Sequence, residues 1–114
     1  MAATQNLEIT AGDDQTYNFA VTNNGVPVDI TGWTFYFTAK VSVEDPDTAI
    51  VMQSSNAIHT NPTQGLSFIT LSHTITTVTP STYVYDLKWV DASGNRDTFV
   101  KGNITVDPSV KASL

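Results

Sequence analysis

The segment Thr82–Val106 constrains this chain more than any other: it reads TYVYDLKWV, then DASGNRD, then TFVKGNITV. Two runs of alternating apolar and polar residues around a polar stretch containing Gly94 specify a β-hairpin. In the first run Tyr83, Tyr85, Leu87 and Trp89 share one face, and Val84, Asp86, Lys88 and Val90 the other. In the second, Thr98, Val100, Ile104 and Val106 share a face, with Lys101, Asn103 and Thr105 opposite. The register is strongly specified, because a one-residue slip would turn Leu87 and Trp89 into water.

The rest of the chain repeats this grammar. Asn6–Thr10 reads as a short strand, Ala11–Asp14 as a turn, and Gln15–Thr22 as a strand with Tyr17, Phe19 and Val21 inward. Asn23-Asn24-Gly25 is a tight-turn signal. Val26–Ile30 follows, and Pro27, which lacks an N–H, places it at an edge. Trp33–Val41 has the most apolar face in the chain (Trp33, Phe35, Phe37, Ala39, Val41) and belongs at the centre of a sheet. After an acidic loop at Ser42–Thr48, the pattern predicts strands at Ala49–Gln53 and Ala57–Thr60, separated by a Ser-Ser-Asn turn. Leu66–Leu71 is a further strand, and Ser72–Thr79 a single helical turn capped by Ser72 and ended by Pro80. Leu71, Ile75 and Val78 would point back to the core from it.

Short strands separated by turns at roughly ten-residue intervals are the pattern of an all-β, antiparallel, immunoglobulin-like β-sandwich of seven to nine strands. A small barrel is the alternative. Pro80–Tyr85 resembles a tyrosine corner at the start of a late strand. Eighteen threonines, with many Val, Ile, Tyr and Phe, agree with the strand reading. Residues 1–114 read as one domain, with 107–114 as a loosely ordered tail.

Charge and composition bear on function mainly by exclusion. A net charge of −6 opposes nonspecific binding to nucleic acid and to anionic membrane. The chain has no cysteine, hence no disulfide, thiolate metal site or cysteine nucleophile. No apolar run is long enough to span a bilayer, and MAATQNLEIT has neither the basic region nor the apolar core of a secretory signal.

A set of short motifs runs along nearly the whole chain. Gly12-Asp13-Asp14 precedes an alternating strand, and Gly25-Val26-Pro27-Val28-Asp29-Ile30-Thr31-Gly32 precedes the aromatic one. Gly65–Leu71, Tyr83-Val84-Tyr85-Asp86-Leu87, Asp91–Gly94 and Gly102-Asn103-Ile104-Thr105-Val106 follow in order. In this order the chain resembles the immunoglobulin-like domain at the N-terminus of bacteriophage baseplate upper proteins, found also as small phage and prophage tail proteins. Ser81-Thr82 stand where that family usually places Gly before the tyrosine, which predicts a turn without positive φ. The resemblance implies a structural part of a tail or baseplate, docking to itself or to neighbouring chains and residing in the virion. It carries no catalytic residue and no cofactor to transfer.

The residues themselves give little to chemistry. His59 and His73 lie outside any nucleophile signature and read as ordinary loop or strand-end histidines. Glu44, Asp45 and Asp47 form a solvated acidic loop without an EF-hand spacing. Asp86 is expected to pair across strands with Lys101. Asn103-Ile104-Thr105 matches a glycosylation sequon, without a secretory context. Trp33 and Trp89 fall on inward faces and read as core rather than as a sugar platform. Tyr36, Val84, Val90 and Phe99 should point away from the core and mark a contact surface between subunits. Two functions compete: a non-enzymatic tail or baseplate component, and a carbohydrate-binding or adhesin-type module. No cofactor and no metal ligands are assigned to either; a binding module would present an exposed aromatic shelf or ordered calcium.

Overall fold

The computed structural model describes residues 3–110. Ten strands appear among them: β1 Ala3–Thr4, β2 Leu7–Thr10, β3 Gln15–Ala20, β4 Thr22–Asn23, β5 Val26–Pro27, β6 Thr34–Lys40, β7 Met52–Asn56, β8 Leu66–Leu71, β9 Ser81–Val90 and β10 Arg96–Asp107. One helical turn, α1, spans His73–Thr76. The architecture is an all-β sandwich. The large layer has the order β1-β10-β9-β6-β7, with β2 also on β10, and the small layer is β3-β8. The large sheet is mixed, because β1 and β2 run parallel to β10 while its other pairings are antiparallel.

The hairpin is the spine of the large sheet. Its turn is tied by the Asp91 carboxylate, which accepts from the N–H groups of Ser93 and Asn95 at 2.9 Å. Gly94 supplies the positive φ of 88°. β6 docks on β9 with Phe35 opposite Trp89 and Phe37 opposite Leu87, so it is central, as its apolar face requires. Phe35, Phe37 and Ala39 are buried with Tyr83, Tyr85, Leu87, Ile104 and Val106 against Ile69 and Leu71 of the small layer. Val41, expected inward, lies past the end of β6 and is exposed.

Tyr83 sends its hydroxyl back to the carbonyl of Thr79, four residues upstream, as a tyrosine corner does. The turn before it needs no positive φ: among the described residues only Asn24 is a non-glycine in that region, in the Asn-Gly turn joining β4 to β5. Gly102 is fixed by a close approach. A Cβ there would stand 2.3 Å from the Gln5 carbonyl oxygen, where β1 gives way to β2 along β10.

Four local expectations are corrected. The strand expected at Ala49–Gln53 begins only at Met52: a 3-10 turn covers Asp47–Ala49, and β7 takes in Met52 and Gln53 and continues through the Ser-Ser-Asn residues. Those polar residues suit an edge, because Ser54 Oγ donates to the Thr70 carbonyl at 2.7 Å and Asn56 Nδ2 to that of Phe68 at 2.8 Å. β7 of one layer is thereby tied to β8 of the other. Ala57–Thr60 forms no strand. Ser72 occupies the N-cap of α1 but gives no capping bond; the His73 N–H donates instead to Asp14 Oδ1 at 2.6 Å, from a loop distant in sequence. Asp107 continues β10, and the last four residues of the expected tail, 111–114, lie outside the described residues.

Candidate functional site: the outer face of the large sheet

Alternation that buries one face of β6, β9 and β10 must present the other. Pairing sets the outer side chains in rows: Thr34, Val90 and Arg96; Tyr36, Lys88 and Thr98; Thr38, Asp86 and Lys101; Lys40, Val84 and Asn103. All of them but Thr34 line a broad, open concavity of about 1090 Å³, bounded by Val43 and Ile50 of the β6–β7 connection and by Thr4 and Asn6 at the other edge.

Three of the four expected surface residues line this face: Tyr36, Val84 and Val90. Tyr36 is exposed, and the two valines are half-buried. They do not form one apolar patch. Val84 and Val90 are six positions apart on β9, about 20 Å at strand rise, with Asp86 and Lys88 between them.

Phe99 is the exception and a correction. The β9–β10 register shifts between Thr98 and Val100, so Phe99 sits in a bulge without a partner. Its ring turns inward against Phe19 (centroids 5.5 Å apart) and Phe35 (6.3 Å). The same bulge moves Thr98 outward, where its hydroxyl accepts from Lys88 Nζ at 2.8 Å.

The face also gathers positive charge. Of the five Lys and Arg residues of the chain, Lys40, Lys88, Arg96 and Lys101 line it, and the fifth, Lys111, lies outside the described residues. Lys40 is held by Asp47 at 2.7 Å and by the Asp45 carbonyl at 3.0 Å. The hydrogen bond and charge of Lys40 hold the Asp47 carboxyl below its ordinary range. Lys88 approaches Asp86 at 3.9 Å. The expected Asp86–Lys101 pair is in register, yet Lys101 and Arg96 make no ion pair among the described residues. Sequence reading missed this gathering. Alternation places Lys88 and Lys101 outward, but only the order β10-β9-β6 brings Lys40 beside them.

The groups weighed for chemistry are spent on structure. His59 bonds Ser67 Oγ at 2.7 Å and the Trp33 carbonyl at 2.9 Å, linking the layers. His73 contacts Asp14 at 3.0 Å. Trp33 and Trp89 stack on each other, centroids 4.5 Å apart and planes 20° from parallel, and pack against the core. Among the described residues no three His, Asp or Glu side chains converge on a metal-sized site. No helix among them is long and apolar enough to cross a membrane.

Residues 2–79 match the family model described as BppU N-terminal domain. The match runs from the first strands through α1 and stops short of the β9–β10 hairpin. No curated protein matches the chain.

Proposed function

This chain belongs to the BppU N-terminal domain family, the N-terminal domain of phage baseplate upper proteins, and from that premise we propose that it is a non-enzymatic structural part of a tail baseplate. It works by docking neighbouring chains, copies of itself or other tail proteins, through the outer face of the large sheet. The observation that carries this reading is the division of the hairpin's side chains. Tyr83, Tyr85 and Leu87 are committed to the interior, while the opposite positions line a broad concavity with an exposed Tyr36 and most of the chain's cations. A concave face of mixed polar and apolar groups on a fixed two-layer scaffold suits recognition of a protein surface. We read the topology as immunoglobulin-like, supported by the tyrosine corner and by the edge strand β2 parallel to the last strand. The chain acts in the virion tail, and residues 1–114 serve as one domain.

The carbohydrate-binding reading has less behind it, because the two tryptophans spend their ring faces on each other and on the core. The test is assembly. Tyr36→Asp combined with Val84→Asp is expected to leave the circular dichroism spectrum and melting temperature near wild type and to weaken incorporation into baseplates at least about tenfold. Wild-type incorporation of the double variant would refute the assignment of the face.

A further inference from the structure

The distribution of charge says what this face accepts. Four cations line it, against only two carboxylates, Asp47 and Asp86. The chain has eleven acidic residues, so the other nine lie elsewhere, where no described residue is Lys or Arg. Part of that negative charge is concentrated at one end of the sandwich. Thr10 pairs with Asp107, so the loop carrying Asp13 and Asp14, which follows β2, lies beside the end of β10. Lys40 pairs with Val84 near the start of β9, so the β6–β7 connection with Glu44 and Asp45 leaves from the same end. Asp13, Asp14 and Glu44 are exposed there. The molecule therefore has a cationic sheet face and an acidic end, within a net charge of −6.

We infer that the outer face of the large sheet takes the acidic end of a second copy of this chain, head to tail. The inference rests on the reading of this face as a docking surface and adds the identity and orientation of the occupant. Two copies of net charge −6 repel, and contacts between their acidic surfaces add to that repulsion. Covering Arg96 and Lys101, which make no ion pair among the described residues, with Asp13 and Glu44 of another copy sets opposite charges together and relieves it. Repeated in one direction the contact is heterologous and builds rings or open arrays; returned reciprocally about a two-fold axis it closes as a dimer. Tyr36 and Val84 supply the apolar contact within the same face. A nucleic acid is a poorer occupant, because Asp47 and Asp86 interrupt the cations and the chain as a whole is acidic.

Salt alone does not decide this, since low salt strengthens the net repulsion together with the local attraction. A charge exchange does. Arg96→Glu with Lys101→Glu makes the face acidic, and Asp13→Lys with Glu44→Lys makes the end basic. In sedimentation velocity at about 0.15 M salt the wild type is expected to self-associate, and each double variant alone to be monomeric. An equimolar mixture should regain a complex, because the acidic face of one chain meets the basic end of the other. Circular dichroism of each variant reports folding independently. A monomeric wild type, or a mixture that stays monomeric, overturns the head-to-tail contact. If the wild type is monomeric and face reversal still abolishes incorporation into baseplates, the docking face stands and its occupant is another chain. Self-association unchanged by face reversal overturns the head-to-tail contact, and incorporation into baseplates that is also unchanged removes the docking face. Retention of a monomeric wild type on heparin, lost on face reversal, would assign the face to a polyanion instead.

Discussion

Phe99 offers a sharp test of the packing, because alternation and the bulge give opposite answers. Counted by parity from Val100, Phe99 is an outer-face residue, and truncating it would cost within about 0.5 kcal/mol. In the structure it contacts Phe19 and Phe35 and belongs to the partly buried shell of the core. Truncation of a fully buried Phe to Ala costs about 3–5 kcal/mol. Phe99 retains some exposure, so Phe99→Ala should cost about 2–3 kcal/mol, its apolar area removed from water at about 25 cal/mol per Å². With a urea slope of about 1–3 kcal/mol per M for a domain of this size, the unfolding midpoint should fall by about 0.7–3 M. Tyr36→Ser on the outer face is the control and should move stability by no more than about 0.5 kcal/mol. Equilibrium urea unfolding followed by tryptophan fluorescence reads both. If Phe99→Ala shifts the midpoint no further than Tyr36→Ser, the inward bulge is wrong.

Further outcomes follow from the same geometry. Gly102→Ala places a methyl against the Gln5 carbonyl, which is backbone and cannot swing away. It should destabilise by about 1–3 kcal/mol, and amide exchange should show loss of the Gln5 N–H bond to Lys101. Burial, with a smaller contribution from neighbouring Tyr17, pushes the Tyr85 phenol up to about 12. The unfolded chain releases that proton near its ordinary value of 10, so stability should fall as pH rises from there towards 12, and Tyr85→Phe should flatten the fall. The Asp14 carboxyl is held low by the backbone N–H and then the side chain of His73. Its contribution is present above the ordinary carboxylate range and lost as pH falls through its lowered value. Asp14→Ala should therefore be less stable than wild type at neutral pH and equal to it in strong acid, as measured by thermal melting.

Where neighbours in sequence decide the outcome, the fold was legible. The Leu66–Leu71 strand, the Asn-Gly turn, the central aromatic strand and the hairpin all follow from alternation and turn chemistry, and each lies where the pattern puts it. The misses are non-local. Ser54 and Asn56 look like a turn until β8 supplies carbonyls for their side chains. The α1 cap comes from Asp14, which no window around Ser72 contains. A bulge adds one residue to one strand only, so parity counting cannot see the inversion of Phe99. For the site, alternation found Tyr36, Val84 and Val90, but their spacing and the gathering of cations depend on strand order, which no single segment encodes.

The central claim is that this chain acts through the outer face of its large sheet. The chain has no cysteine, so single-cysteine labelling reports one position at a time without a background. Tyr36→Cys probes the large-sheet face, and Thr70→Cys probes the exposed face of the small β3-β8 sheet. Both positions should react rapidly with a maleimide in the isolated chain. In the assembled baseplate, position 36 should be protected and position 70 should stay reactive. Protection at position 70 with position 36 still open would contradict the account.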